Sequence, residues 1–150
     1  MRRTILKRAI TGKIDLAVAC NFNPTTTYPS VAYRLDDINS AIGIRILIAS
    51  DLTPYERLAV QWAMTYDVPA VEVMAEVCED NHQAFMEVYR LILSREPDLI
   101  MVEETQKEFP SLLKMANEMG IPIIEVHPAR AVNFKQLKSL LGRTPRHAYY

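Results

Sequence analysis

Apolar residues recur along the chain in two alternating patterns: short unbroken runs, and longer stretches spaced by three and four. Unbroken runs suit strands buried on both faces, whereas the three-and-four spacing suits helices that bury one side. The runs are Ile14 to Cys20, Ile44 to Ala49, Ala70 to Met74, Leu99 to Val102 and Ile121 to Val126. The first helical stretch, Ser30 to Ala41, sets Val31, Leu35 and Ile38 on one face. Thr53-Pro54-Tyr55-Glu56 reads as a helix start, with Thr53 as N-cap, Pro54 in first position and Glu56 completing a capping box. This second helix is expected to reach Tyr66. A third runs from Asp80 to Arg95 and stops before Pro97, with Phe85, Val88 and Ile92 turned to the core. Ser111 to Met119 stops at Gly120, and Phe134 to Leu141 is closed by Gly142. Strands alternating with helices predict right-handed crossovers. The expected fold is α/β, a five-stranded parallel doubly wound (Rossmann-like) sheet with helices on both faces. Its predicted sheet core is Ile46, Ile48, Val71, Val73, Ile100, Ile123 and Ile124. Trp62, Phe85 and the methionines at helical spacing also read as core.

Length and composition narrow the class. A chain of 150 residues, 49% hydrophobic, suits one domain with one sizeable core. No apolar run approaches the roughly 18 residues of a membrane span. The basic start (Arg2, Arg3, Lys7, Arg8) lacks the apolar stretch of a secretory leader. Cys20 and Cys78 fit no zinc or redox spacing, which points to a reducing compartment and a cytoplasmic protein. With only four glycines, the chain holds no glycine-rich phosphate loop. The charge is uneven. Residues 1–13 and 130–150 each carry five basic groups and no acid, while all 18 carboxylates lie between them. The chain therefore divides into a basic segment (1–13), a domain (14–142) and a basic tail (143–150). Basic ends solubilise termini, and they also bind acidic partners or nucleic acid weakly.

Ligands of doubly wound sheets bind beyond the carboxyl ends of the strands, where the strand order reverses. In the common order that point lies between strands one and four. One loop there offers Asn21, Phe22, Asn23 and Thr25: amides, an aromatic face and a hydroxyl suited to a base or sugar. The same residue types also build turns and caps. A second loop offers Ser50, Asp51, Thr53, Glu56 and Arg57 at a helix start, where an anion is favoured and Arg57 adds charge. Glu103 and Glu104 close the fourth strand, and His127 follows the fifth. Close carboxylates shift each other's titration enough for acid–base work, although a solvated acidic rim is the plainer expectation. Ser, His and Asp form no nucleophile motif. Cys78-Glu79-Asp80-Asn81-His82 fits no metal pattern, and no metal or cofactor is expected.

Over residues 15–128 the chain resembles the SLOG superfamily of Rossmann-like domains, most of all its YspA-like branch. There a Gly-Gly-x-x-Gly-Ala-Asp-Arg-Leu-Ala segment follows the second strand. Here that segment reads Ser50-Asp51-Leu52-Thr53-Pro54-Tyr55-Glu56-Arg57-Leu58-Ala59, followed by Val60-Gln61-Trp62-Ala63 and Asp67-Val68-Pro69. Pro97-Asp98-Leu99-Ile100 and Ala116-Asn117-Glu118-Met119-Gly120-Ile121-Pro122 resemble the approaches to strands four and five. The family's glycines fall on Ser50, Asp51 and Pro54, so the loops are degenerate. The resemblance implies non-catalytic binding of a nucleotide-derived small molecule such as NAD, ADP-ribose or a cyclic nucleotide, and it implies a homodimer. Two alternatives stand beside it: an N-glycosidic hydrolase or transferase using Glu56, Glu103 or Glu104, and a scaffold that binds protein or nucleic acid through its basic ends.

Overall fold

Each unbroken apolar run forms a strand in the computed structural model, which describes residues 12–19, 26–51, 53–74, 81–103 and 110–142. The strands are β1 (Ile14–Val18), β2 (Ile44–Ser50), β3 (Ala70–Val73), β4 (Leu99–Glu103) and β5 (Ile123–Val126). The helices are α1 (Tyr28–Ala41), α2 (Pro54–Thr65), α3 (Asn81–Ser94), α4 (Pro110–Met119) and α5 (Phe134–Gly142). Every pairing is parallel, and the sheet order is β3-β2-β1-β4-β5. The fold is thus the doubly wound, Rossmann-like α/β sheet that the alternation predicts. Among the described residues no helix is long and apolar enough to cross a membrane.

Two apolar layers sandwich the sheet. On one face Val31, Leu35 and Ile38 of α1, Trp62 of α2 and Leu137 of α5 pack on Leu16, Leu47 and Met101. On the other, Val88 and Ile92 of α3 and Leu112 and Ala116 of α4 pack on Ala17, Ile48 and Ile100. The fully buried Trp62 also joins two helices of its layer, because its Nε1 donates to Asp36 Oδ1 of α1 at 2.9 Å.

The amino-terminal edge of the sheet holds a buried charge. Asp15, in the middle of three strands, is 3% exposed. Ile14 pairs with Ile44 but Asp15 pairs with Ile46, so Arg45 is an extra residue, a bulge in β2. Its guanidinium grips Asp15 twice, Nε to Oδ1 at 2.8 Å and Nη2 to Oδ2 at 2.7 Å. Asp98 binds the same place from the β4 side: its Oδ2 accepts the Asp15 N–H at 2.8 Å, and its own N–H donates to the Asp15 carbonyl at 2.9 Å.

Several boundaries differ from the sequence reading. Helix α1 begins at Tyr28, because Thr27 caps it by accepting the Ser30 N–H at 3.4 Å and Pro29 fits the first turn. Thr53 has the extended backbone of an N-cap, but its hydroxyl makes no cap bond; its carbonyl takes the Arg57 N–H at 3.3 Å instead. Strand β5 starts at Ile123, since Pro122 has no N–H to give, though its carbonyl still accepts from Ile100 at 3.0 Å. Gly120 does end α4, at φ +71°, whereas Gly142 is the last residue of α5 rather than the stop beyond it. Of the predicted sheet core, Ile48, Val73, Ile100 and Ile124 are buried, while Ile46, Val71 and Ile123 are only half-buried. Val71 and Ile123 lie on edge strands, and Ile46 sits beside the bulge. The methionines divide: Met101 is core, but Met64 and Met74 are 73% and 63% exposed. Phe85 is half-buried against the α3–α4 layer.

Two substitutions test this packing by chemical denaturation. Ile48→Ala, in the heart of β2, should cost about 2–5 kcal/mol. Arg45→Ala strands the Asp15 carboxylate inside the sheet and should cost roughly 1–3 kcal/mol, the loss of a buried hydrogen-bonded charge partner.

Candidate functional site

The strand order reverses between β1 and β4. The chain leaves β1 for a helix on one face and leaves β4 for a helix on the other, so the two exits diverge; in doubly wound sheets such a divergence is where a ligand crevice forms. Asn21, Phe22, Asn23 and Thr25 on the β1 side, and Glu104 on the β4 side, lie outside the described residues.

Glu103 ends β4 and is 3% exposed. It shares its side of the strand with Leu99 and Met101, which point into the α1–α2–α5 layer. Tyr55, in the first turn of α2, is buried in the same layer. Burial first, and then the Glu103 carboxylate, push the Tyr55 phenol far above its ordinary value, while the Arg34 guanidinium pulls the other way. Glu103 and Arg34 therefore both act on Tyr55 electrostatically. The phenol keeps its proton and is a donor.

Arg34 arrives from α1 and is 8% exposed. Its Nη1 donates to the His127 carbonyl at 3.0 Å, and its Nε lies 3.5 Å from Asp37 Oδ2. The same Asp37 oxygen accepts the Val132 N–H at 3.0 Å. Two residues one helical turn apart thus tie α1 to the segment that follows β5. His127 is half-buried, and its Nδ1 accepts the Ala129 N–H at 3.0 Å, which puts a ring proton on Nε2. Pro128 lies in the turn that this bond closes.

The second predicted loop is split. Ser50 and Thr53 are fully buried, and so is Glu56, whose two carboxylate oxygens are closed off from solvent. Ser50 shares its side of β2 with Ile48 and so faces the α3 layer, away from Glu103. Asp51 is half-buried, and Arg57 is exposed with its Nε donating to the Asp51 carbonyl at 3.1 Å. The expected solvated acidic rim is therefore corrected: Glu56 and Glu103 are interior groups, because helix α2 and the strand pleat turn both inward. At the start of α1, Thr26 Oγ1 is buried and finds no hydrogen-bond partner among the described residues.

The sequence reading had missed Arg34 and Tyr55. Arg34 lies three residues after Val31 and four before Ile38, on the apolar face of α1, and a cation on such a face signals a buried partner. Among the described residues no group of three His, Cys, Asp or Glu could hold a metal ion. A 280 Å3 hollow borders the site, lined by His127, Arg130, Asn133 and Gln136 among others. A larger one of 440 Å3, between Asn117, Gly120, Ile123 and Leu140, opens at the amino-terminal side of β5, away from the crevice.

No family model, curated protein or solved structure matches the chain, so none of these comparisons assigns it to a family.

The Tyr55 environment has a measurable consequence. A phenol whose folded value is raised adds stability that is complete below its unfolded value near 10.0 and is lost as pH rises above it. Ultraviolet difference titration should show Tyr55 among the tyrosines that resist ionisation until the protein unfolds. In Tyr55→Phe that lagging phase should shrink by one tyrosine, and the fall of stability above pH 10.0 should be shallower.

Proposed function

We propose that this protein binds a nucleotide-derived small molecule, of the class of NAD, ADP-ribose or a cyclic nucleotide, at the carboxyl edge of its sheet and without turning it over. The observation that carries the reading is the strand reversal between β1 and β4 with Glu103, Tyr55 and Arg34 buried beside it. The likeness of residues 50–59 to the SLOG loop supports it. With four glycines in the chain, backbone cradling of a pyrophosphate is not its mode. Recognition falls instead to carboxylates that accept hydrogen bonds from sugar hydroxyls, with Asp51 at the end of β2 and Glu103 at the end of β4 as the acceptors. Phe22 supplies a stacking face, and Arg57 with the α2 amino terminus a modest attraction for phosphate.

The placing of the largely desolvated Glu103 at the carboxyl end of β4 carries one second reading. A carboxylate removed from water is the group that N-glycosidic cleavage needs, as nucleophile or general base. Incubation with nucleosides and nucleotides followed by chromatography for free base separates the two readings. Release of base supports the second.

Thermal-shift titration with NAD, ADP-ribose, cyclic nucleotides and nucleoside mono-, di- and triphosphates tests binding itself. A ligand at a hundredfold excess over its Kd stabilises the folded state by about 2.7 kcal/mol. Ligands with one or two phosphates should outcompete triphosphates, because the carboxylates at this edge repel added negative charge. Phe22→Ala, Arg57→Ala and Glu103→Gln should each weaken the ligand, and the first two should leave the melting of the free protein nearly unchanged. A panel without any shift, or a clear preference for triphosphates, removes the proposal.

A further inference from the structure

The 440 Å3 hollow beside β5 lies at an open edge of the sheet, because its walls come from both layers: Leu113 and Asn117 of α4 on one side, Gln136 and Leu140 of α5 on the other. Its floor is the free edge of β5. Ile100 donates to the Pro122 carbonyl, so the backbone groups of Pro122, Ile124 and Val126 face β4. Those of Ile123 and Glu125 face outward, and among the described residues they have no partner. Both side chains stand on the α4 side, Ile123 half-buried and Glu125 exposed. Such an edge fits an extended segment with an apolar residue opposite Ile123 and a basic one opposite Glu125.

We propose that the amino-terminal segment of the chain closes this edge as a sixth strand, antiparallel to β5, with Arg3 opposite Glu125 and Ile5 opposite Ile123. A chain that leaves the hollow for the foot of β1 runs down the edge, against β5. In that direction the order required is a basic residue two places before a large aliphatic one. Residues 1–13 hold it twice, in Arg3-Thr4-Ile5 and in Arg8-Ala9-Ile10. Reach selects the first. Ile123 is level with Ile100 and Ala17, three residues above Ile14. The path from there to Ile14 is about 10 Å down and about 14 Å across three strand spacings. Four residues from Ile10 extend only about 13 Å, whereas nine from Ile5 extend about 30 Å. Gly12, at φ +69°, supplies the change of direction before β1. Strand alternation then puts Leu6 on the α5 side of the hollow, where Leu140 lines it. At the β3 edge, equally far from β1, the outward residues are the exposed Ala70 and Glu72, so an isoleucine there loses less contact with water. The tail 143–150 follows α5 on the α1–α2 side, and a return beside β5 from that side is a left-handed crossover. An antiparallel strand commonly ends an otherwise parallel sheet, and it guards the edge against pairing with other chains. The inference is independent of what the carboxyl edge binds.

Amide hydrogen exchange on the full chain, read by nuclear magnetic resonance, tests it. The outward amides of Ala70 and Glu72 on the opposite edge are the internal comparison. Corrected for intrinsic rates, the Ile123 and Glu125 amides should exchange at least about tenfold more slowly than these, at any protein concentration. Ile5→Pro removes the N–H that donates to the Ile123 carbonyl and should abolish this protection. Arg3→Glu and Glu125→Arg should each lower the protection of Ile123, and the double variant should restore it. Arg8→Glu removes as much charge outside the register and should leave it unchanged. Continued protection of the β1 and β4 amides confirms that each variant is folded. Wild-type Ile123 and Glu125 amides as fast as those of Ala70 and Glu72 would overturn the proposal. So would protection that grows with concentration, which assigns the edge to a second copy, or an Arg8→Glu effect equal to that of Arg3→Glu.

Discussion

Strand β1 is buried at each of its five residues and paired along both edges, and the rest of the architecture follows from that confinement. No backbone group of such a strand can turn to water, so both neighbours must supply its hydrogen bonds. Parallel neighbours cannot be joined by a tight turn and need crossovers, which take one hand. With the hand fixed, β2 and β3 build outward in one direction with α1 and α2 above the sheet. Strands β4 and β5 build in the other direction with the next helices below. The reversal beside β1 is thus a product of burying one strand completely. The amino-terminal edge shows the demand this makes. Asp15 is accommodated there only because β2 accepts an extra residue and Asp98 closes the remaining side.

The two edges of the sheet use charge differently. At the amino-terminal edge the acids are matched by a guanidinium and by backbone amides at 2.7–2.9 Å, an arrangement that consolidates three strands. At the carboxyl edge the cation and the acids sit on different elements. Arg34 is held by the His127 carbonyl and by Asp37, while Tyr55 lies within its field and within that of Glu103. The first arrangement is closed. The second joins α1, α2, β4 and the segment after β5 around the place where the strands part, so a change in any of these elements is felt at the crevice.

The fold was legible because five apolar runs and the helices between them are long enough for their periods to be distinct. Boundaries were less so, for particular reasons. Pro29 hid the first turn of α1 although it belongs there, and Ile121-Pro122 extends the apolar run of β5 past its last ladder donor. Edge position was invisible too: Val71 and Ile123 read as core, but edge strands receive less cover. Within the site, the chain positions of Glu103, Glu56 and His127 were readable, but their burial was not. An acid at a strand end reads as solvated unless its side of the strand is followed back through Met101 and Leu99. Arg34 was missed because its charge suggested surface, although its spacing from Val31 and Ile38 placed it inside.

The Trp62 indole is the only one in the chain, and it sits wholly within the α1–α2–α5 layer, held by Asp36 and 5.4 Å from the Tyr66 ring. Its intrinsic fluorescence is consequently a one-sided reporter. Loosening of α1 from α2 would change the emission at once, whereas fraying of α3 and α4 on the far side of the sheet would pass unseen until the sheet itself opened. Agreement between fluorescence and far-ultraviolet dichroism would then carry specific information: it would mean that the two layers come apart as one cooperative unit.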